Sequence, residues 1–118
     1  MPLDGTLYED EILRTLRAAQ ERIRLPENWG RRYLYKDGKV CARGAVMVAV
    51  GISTDDMFEG FASKLYKETT AYLNIAAVEV GFPNSAILND NTDQPTTYTM
   101  FDRAQELRLA DVMEAAVA

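Results

Sequence analysis

The chain contains no histidine, and Cys41 is its only cysteine. Without imidazole the Ser-His-Asp and Cys-His constellations, the His-Glu-x-x-His zinc helix and every Cys/His zinc finger are excluded. A lone thiol excludes an internal disulfide. No apolar run reaches the roughly 18 residues needed to cross a bilayer. Residues 1–6 lack the basic-then-apolar order of a secretory leader, so a cytoplasmic protein without membrane contact is expected. Gly38, Gly44 and Gly51 are too widely spaced for a dinucleotide or phosphate loop, and no metal or cofactor is implied. At 118 residues, 47% hydrophobic and 26% charged, the chain has the size and composition of one globular domain, residues 1–118.

What is present centres on residues 40–52, an apolar stretch interrupted by a single charge, Arg43. In a water-soluble fold such a stretch has to be covered on most sides. Two readings compete for it. Val46, Met47, Val48 and Val50 suit a buried strand, whereas Ala42, Ala45 and Ala49 suit a helix with a small-residue face. The ten-residue length from 41 to 50 and the placement of Gly51 as a terminator favour helix, and Gly44 would let a neighbouring element come close.

Around this centre the pattern is mostly helical. Thr6-Leu-Tyr-Glu9 has the form of a capping box. A helix should run from there to about Arg24, because Ile12, Leu16, Ala19 and Ile23 share a face before Pro26 stops it. Asp37-Gly38 suits a type I′ turn, so a β-hairpin is expected near 33–42. Ser53, Thr54, Asp55 and Asp56 offer a further helix start, with Lys67–Thr70 either a break or exposed helix and Gly81 and Pro83 a firm stop. Residues 82–95, rich in Asn, Asp, Thr, Ser and Pro, read as an irregular loop. Thr96 or Thr97 then caps a last helix carrying Met100, Phe101, Ala104 and Leu107. The fold expected is mainly α: four to five helices round the central apolar one, with one small hairpin.

The net charge of −5 is unevenly placed. Residues 22–43 hold seven cations against Glu27 and Asp37, while residues 55–118 hold four cations and eleven anions. The cations Arg31, Arg32, Lys36 and Lys39 interleave with Trp29, Tyr33 and Tyr35, a composition used to bind acidic protein surfaces or single-stranded nucleic acid. The acidic remainder weighs against nucleic acid, since long-range attraction follows the whole charge distribution.

Other candidates have plainer explanations. Cys41 at a helix start would have its thiol pKa lowered by the helix dipole, with Arg43 helping, but no histidine is available as base, and a buried apolar role is the alternative. Asn89-Asp-Asn-Thr-Asp93 places oxygens alternately like a calcium loop, yet lacks the Gly and Glu that such a loop needs at its sixth and twelfth positions. Asn89 and Asp90 are better read as local backbone partners that set how the loop enters the last helix.

The order Trp29, Tyr33, Tyr35, then Cys41-x-x-Gly44-Ala45, then Ile87-x-Asn89-Asp90, a Thr pair and Phe101-Asp-x-Ala104 resembles a family of short uncharacterised bacterial and phage proteins. The resemblance implies a leading helix, a Cys-x-x-Gly-Ala helix, an Asn-Asp loop and a closing helix, and implies no activity. Three functions fit the residues. The first is a non-enzymatic module that binds a protein partner through Trp29, Arg31, Arg32, Tyr33, Tyr35 and Lys36. If phage or mobile-element encoded it would be inhibitory, its residues 55–114 imitating a polyanion. The second is a small enzyme or ligand binder with Cys41, Asn89 and Asp90 in one cleft. The third is a homo-oligomer joined through Met57, Phe58 and Phe61 or through the Ala-rich tail.

Overall fold

A computed structural model describes residues 10–117, apart from the side chains of Met57 and Phe58. The expected capping box at Thr6–Glu9 lies outside the described residues. Helix α1 (Glu11–Arg22) is capped by Asp10, whose carboxylate accepts from the Leu13 N–H at 2.8 Å. Ile12, Leu16, Ala19 and Ile23 are buried as their spacing predicts, joined by Leu13. Pro26 opens a single 3-10 turn, Pro26–Asn28.

Strands β1 (Tyr35–Lys36) and β2 (Lys39–Val40) pair antiparallel, with Tyr35 opposite Val40 and Lys36 opposite Lys39. Asp37 and Gly38 between them have φ of 54° and 82°, the positive pair that a type I′ turn requires. The central stretch is helical: α2 (Ala42–Ala49), with Cys41 as its N-cap. Ala42, Ala45, Val46 and Met47 are fully buried, while Val48 emerges at 44% exposure. Burial therefore overrides the strand preference of the valines.

Helix α3 (Met57–Ala62) is capped by Asp56, and α4 (Lys64–Glu79) by Ser63. The break thus falls at Ser63 instead of Lys67–Thr70. The latter segment is interior to α4, where Thr69 and Thr70 are buried. At the end of α4 the Gly81 and Phe82 N–H groups return to the carbonyls of Val78 and Ala77, a double closure that the Gly81 stop predicts.

Residues 82–95 are not one irregular loop. Ser85–Asn91 forms α5, capped by Asn84, whose side chain accepts from the Ile87 N–H at 2.9 Å. The polar composition conceals it because Asn and Asp serve equally in turns and at helix ends. Asp93, not Thr96 or Thr97, caps α6 (Gln94–Val117): its carboxylate accepts from the Thr96 N–H at 2.9 Å. Hydrogen bonding from Thr96 accordingly holds the Asp93 carboxyl below the usual range.

Helix α6 runs antiparallel between α1 and α4. Gln20 on α1 donates to the Tyr98 carbonyl and to Asp102, and Asp10 pairs with Arg108 at 2.6 Å. On the other side Arg103 forms a two-pronged pair with Glu79, and Tyr72 donates to Asp111. Helix α2 lies across α1, α4 and α5. Phe101, Leu16, Leu73, Leu88 and Met47, all fully buried, fill the space between them. Each such side chain contributes roughly 1.5–3 kcal/mol through burial. Among the described residues there are six helices and one hairpin, a mainly α fold, and no helix long and apolar enough to cross a membrane.

Candidate functional site

Among the described residues the hairpin has no further strand to pair with, so something else must fix it. That role falls to Asn89 on α5, which is 1% exposed. Its side-chain oxygen accepts from the Trp29 indole N–H at 2.8 Å and from the Ala42 N–H at 2.9 Å. Its amide donates to the Gly30 carbonyl at 3.1 Å and to Asp90 at 3.2 Å. Two donors and two acceptor positions are all occupied, the full capacity of an asparagine. Asp90 in turn accepts from the Arg32 N–H at 2.8 Å. Gly44 completes the joint, because a Cβ there would lie 1.9 Å from the Leu34 carbonyl oxygen. Asn89 and Asp90 therefore bind backbone and indole groups 47 to 60 residues away instead of the local backbone expected of them. Ala45, beside Gly44 on α2, is fully buried.

This joint holds out a basic, aromatic face. Tyr33 and Tyr35 are 55% and 52% exposed. The Lys36 ammonium lies 4.5 Å from the Tyr33 ring centre. Arg32, Lys36 and Lys39 are exposed and form no ion pair among the described residues. A cavity of about 440 Å³ opens here, lined by Gly30, Arg31, Tyr33, Lys36, Asp37 and Lys39. Trp29 and Arg31 are used differently. Trp29 is half-buried and bonded to Asn89; Arg31 donates through both Nε and a terminal nitrogen to the Thr92 carbonyl and sits 5.4 Å from the Trp29 ring centre.

A second, smaller cavity of about 160 Å³ is lined by Tyr33, Cys41, Asn89 and Asp90, together with Arg32, Leu34, Arg43, Phe61 and Ala86. The thiol is not activated there. Burial pushes the Cys41 pKa up, outweighing the Gly44 and Arg43 N–H groups at the helix start, and Asp90 adds to the rise. At neutral pH the sulfur is a protonated thiol that accepts weakly from the Gly44 N–H at 3.4 Å. Sequence reasoning did not single out Tyr66, whose hydroxyl is enclosed without a partner, nor Phe61 as a cavity wall. The one available signal was Arg43, the single charge of the apolar stretch. A larger apolar groove of about 480 Å³ separates α4, α5 and α6, with Val80, Phe82, Leu88 and Met100 in its walls.

These features define a small, mainly helical domain in which an asparagine joint holds a two-stranded ribbon against a buried helix. The chain belongs to a family of unknown function, DUF6197, which matches residues 7–117. No curated protein and no solved structure matches the chain.

Proposed function

We propose that the chain is a protein-binding module whose contact surface is the ribbon face bearing Arg32, Tyr33, Tyr35, Lys36 and Lys39, and that the partner surface is acidic. The carrying observation is that this face departs from good local structure in several ways at once. Arg32 holds a φ of 73°, a left-handed conformation that costs a non-glycine residue about 1 kcal/mol. Lys36 and Lys39 stand directly opposite each other across the ribbon, an arrangement of like charges that destabilises a strand pair. Two tyrosines stand more than half exposed beside them. Local rules are broken at sites kept for function, and tyrosines set among cations are the usual anchors of protein interfaces. A nucleic-acid partner is disfavoured by the eleven anions of residues 55–118.

The test is affinity capture with the full chain and with an Arg32→Glu, Lys36→Glu, Lys39→Glu variant. The reading expects a bound protein that the variant loses while its circular dichroism stays unchanged. Equal capture by both chains overturns it.

A further inference from the structure

The 440 Å³ cavity of the ribbon face has three cations in its wall, Arg31, Lys36 and Lys39, and one anion, Asp37. All four residues are exposed, and none forms an ion pair among the described residues. Three positive charges against one negative leave the wall at +2. Exposed cations are ordinarily hydrated and free to move, but here each is held by an uncharged neighbour. Arg31 donates to the Thr92 carbonyl through Nε and one terminal nitrogen, which leaves its other terminal nitrogen unengaged among the described residues. The Lys36 ammonium lies 4.5 Å from the ring centre of Tyr33, which lines the same cavity. The Lys39 stem runs over Gly30: a Cβ built on that glycine would stand 3.2 Å from the Lys39 Cβ and 3.7 Å from its Cδ. Gly30, also in the wall, is pinned in turn, its N–H donating to the Val40 carbonyl and its carbonyl accepting from Asn89.

Lys36 and Lys39 are cross-strand partners and so stand side by side on one face, where like charges repel. An anion between them removes that cost. Asp93 feels the Arg31 charge, but its carboxylate caps α6 and lies outside the wall. The wall itself sets the class of occupant. A net +2 calls for a dianion, and three cations on separate stretches of backbone call for several acceptor oxygens. A phosphate monoester brings a charge of about −1.5 to −2 at neutral pH and three strong acceptors. A carboxylate brings one charge and two oxygens, and each phosphate of a nucleic acid only one charge. We infer that this cavity binds a phosphate monoester, presented by the acidic partner as a phosphorylated side chain. Lys36 and Lys39 neutralise it, and the unengaged Arg31 nitrogen donates to it. The source of the phosphate rests on the protein-binding reading; the site does not.

The experiment is a titration of the full chain at constant ionic strength, with the Gly30, Gly38 and Lys39 amide resonances followed by nitrogen-correlated NMR. The probes are the peptide acetyl-Asp-Asp-phosphoserine-Asp-Asp-amide, its counterpart with glutamate in place of phosphoserine, inorganic phosphate, and a thymidine oligonucleotide. Saturable shifts are expected with the phosphopeptide, about tenfold tighter than with the glutamate peptide. Inorganic phosphate should move the same resonances at higher concentration. Lys36→Gln, Lys39→Gln should weaken the phosphopeptide at least about tenfold with circular dichroism unchanged, and either single substitution decides the matter where the pair fails to fold. Equal affinity for the two peptides, wild-type affinity in the variant, or tighter binding of the oligonucleotide overturns the inference. Inorganic phosphate bound as tightly as the phosphopeptide overturns the protein source. A chain that captures a protein through this face yet treats the two peptides alike keeps the protein-binding reading and loses this inference; one that prefers the phosphopeptide but shows equal capture by wild type and charge variant loses that reading and keeps the site.

Discussion

Asn89 reaches the start of α2 from α5 and Arg43 lies within its first turn, and their treatment is opposite. Asn89 reaches the Ala42 N–H and fills all four of its hydrogen-bonding positions, three with groups from two distant segments and one with its neighbour Asp90. Arg43, one residue further along, has a buried nitrogen with no partner. A buried polar group satisfied within the fold, as Asn89 is, helps to hold it; one left unsatisfied costs stability. Of the residues that carry the family resemblance, Trp29, Gly44, Asn89 and Asp90 belong to the joint, whereas Tyr33 and Tyr35 stand exposed.

The sharpest way to break this contrast is Asn89→Ala. It strands the Trp29 indole N–H, the Ala42 N–H and the Gly30 carbonyl, and at about 1–3 kcal/mol for each unsatisfied group it should cost roughly 4 kcal/mol in urea unfolding. A loss under about 1 kcal/mol would mean that the joint is dispensable. Gly44→Ala comes next: its methyl would drive the Leu34 backbone away, at about 3 kcal/mol by the same measurement. On the unsatisfied side the sign reverses. Tyr66→Phe removes an unpartnered buried hydroxyl and should leave stability at neutral pH unchanged or raised by up to about 1 kcal/mol.

The same variant has an alkaline signature. Burial pushes the Tyr66 pKa from the ordinary 10 up to about 12. Over that window the unfolded chain has released the proton and the folded chain has not, so wild-type stability falls as pH rises from 10 through 12. Tyr66→Phe lacks this component, so its decline over that range should be shallower; parallel curves would place the hydroxyl in a more open setting. The smallest effect expected is that of Arg32→Glu, Lys36→Glu, Lys39→Glu on thermal unfolding, within about 0.5 kcal/mol, because none of these side chains forms an ion pair among the described residues.

How much of this was legible in the sequence depends on the range of the controlling interaction. The face of α1, the Asp37-Gly38 turn, the helical centre and the Gly81 stop are written in neighbouring residues, and each formed as its pattern predicts. Helix α5 was hidden, since Ser85–Asn91 holds four Ser, Asn or Asp residues and owes its shape to the Asn84 cap, to Leu88 in the core and to Asn89 bonding far along the chain. The break at Ser63 was missed because Thr69 and Thr70 look like exposed polar residues yet are covered by neighbouring elements. At the site, the cations and rings were visible in composition. That Trp29 and Arg31 turn to internal partners was not, because Asn89 and Thr92 lie 60 and 61 residues away.

The claim that the joint exists to display the ribbon's tyrosines is tested most directly by comparing partner capture by the wild-type chain with that by a Tyr33→Ser, Tyr35→Ser double variant, matched for urea midpoint. The account predicts at least about a tenfold loss of the captured protein, the scale of an interface anchor, with no change in the midpoint. Undiminished capture by the double variant would contradict it.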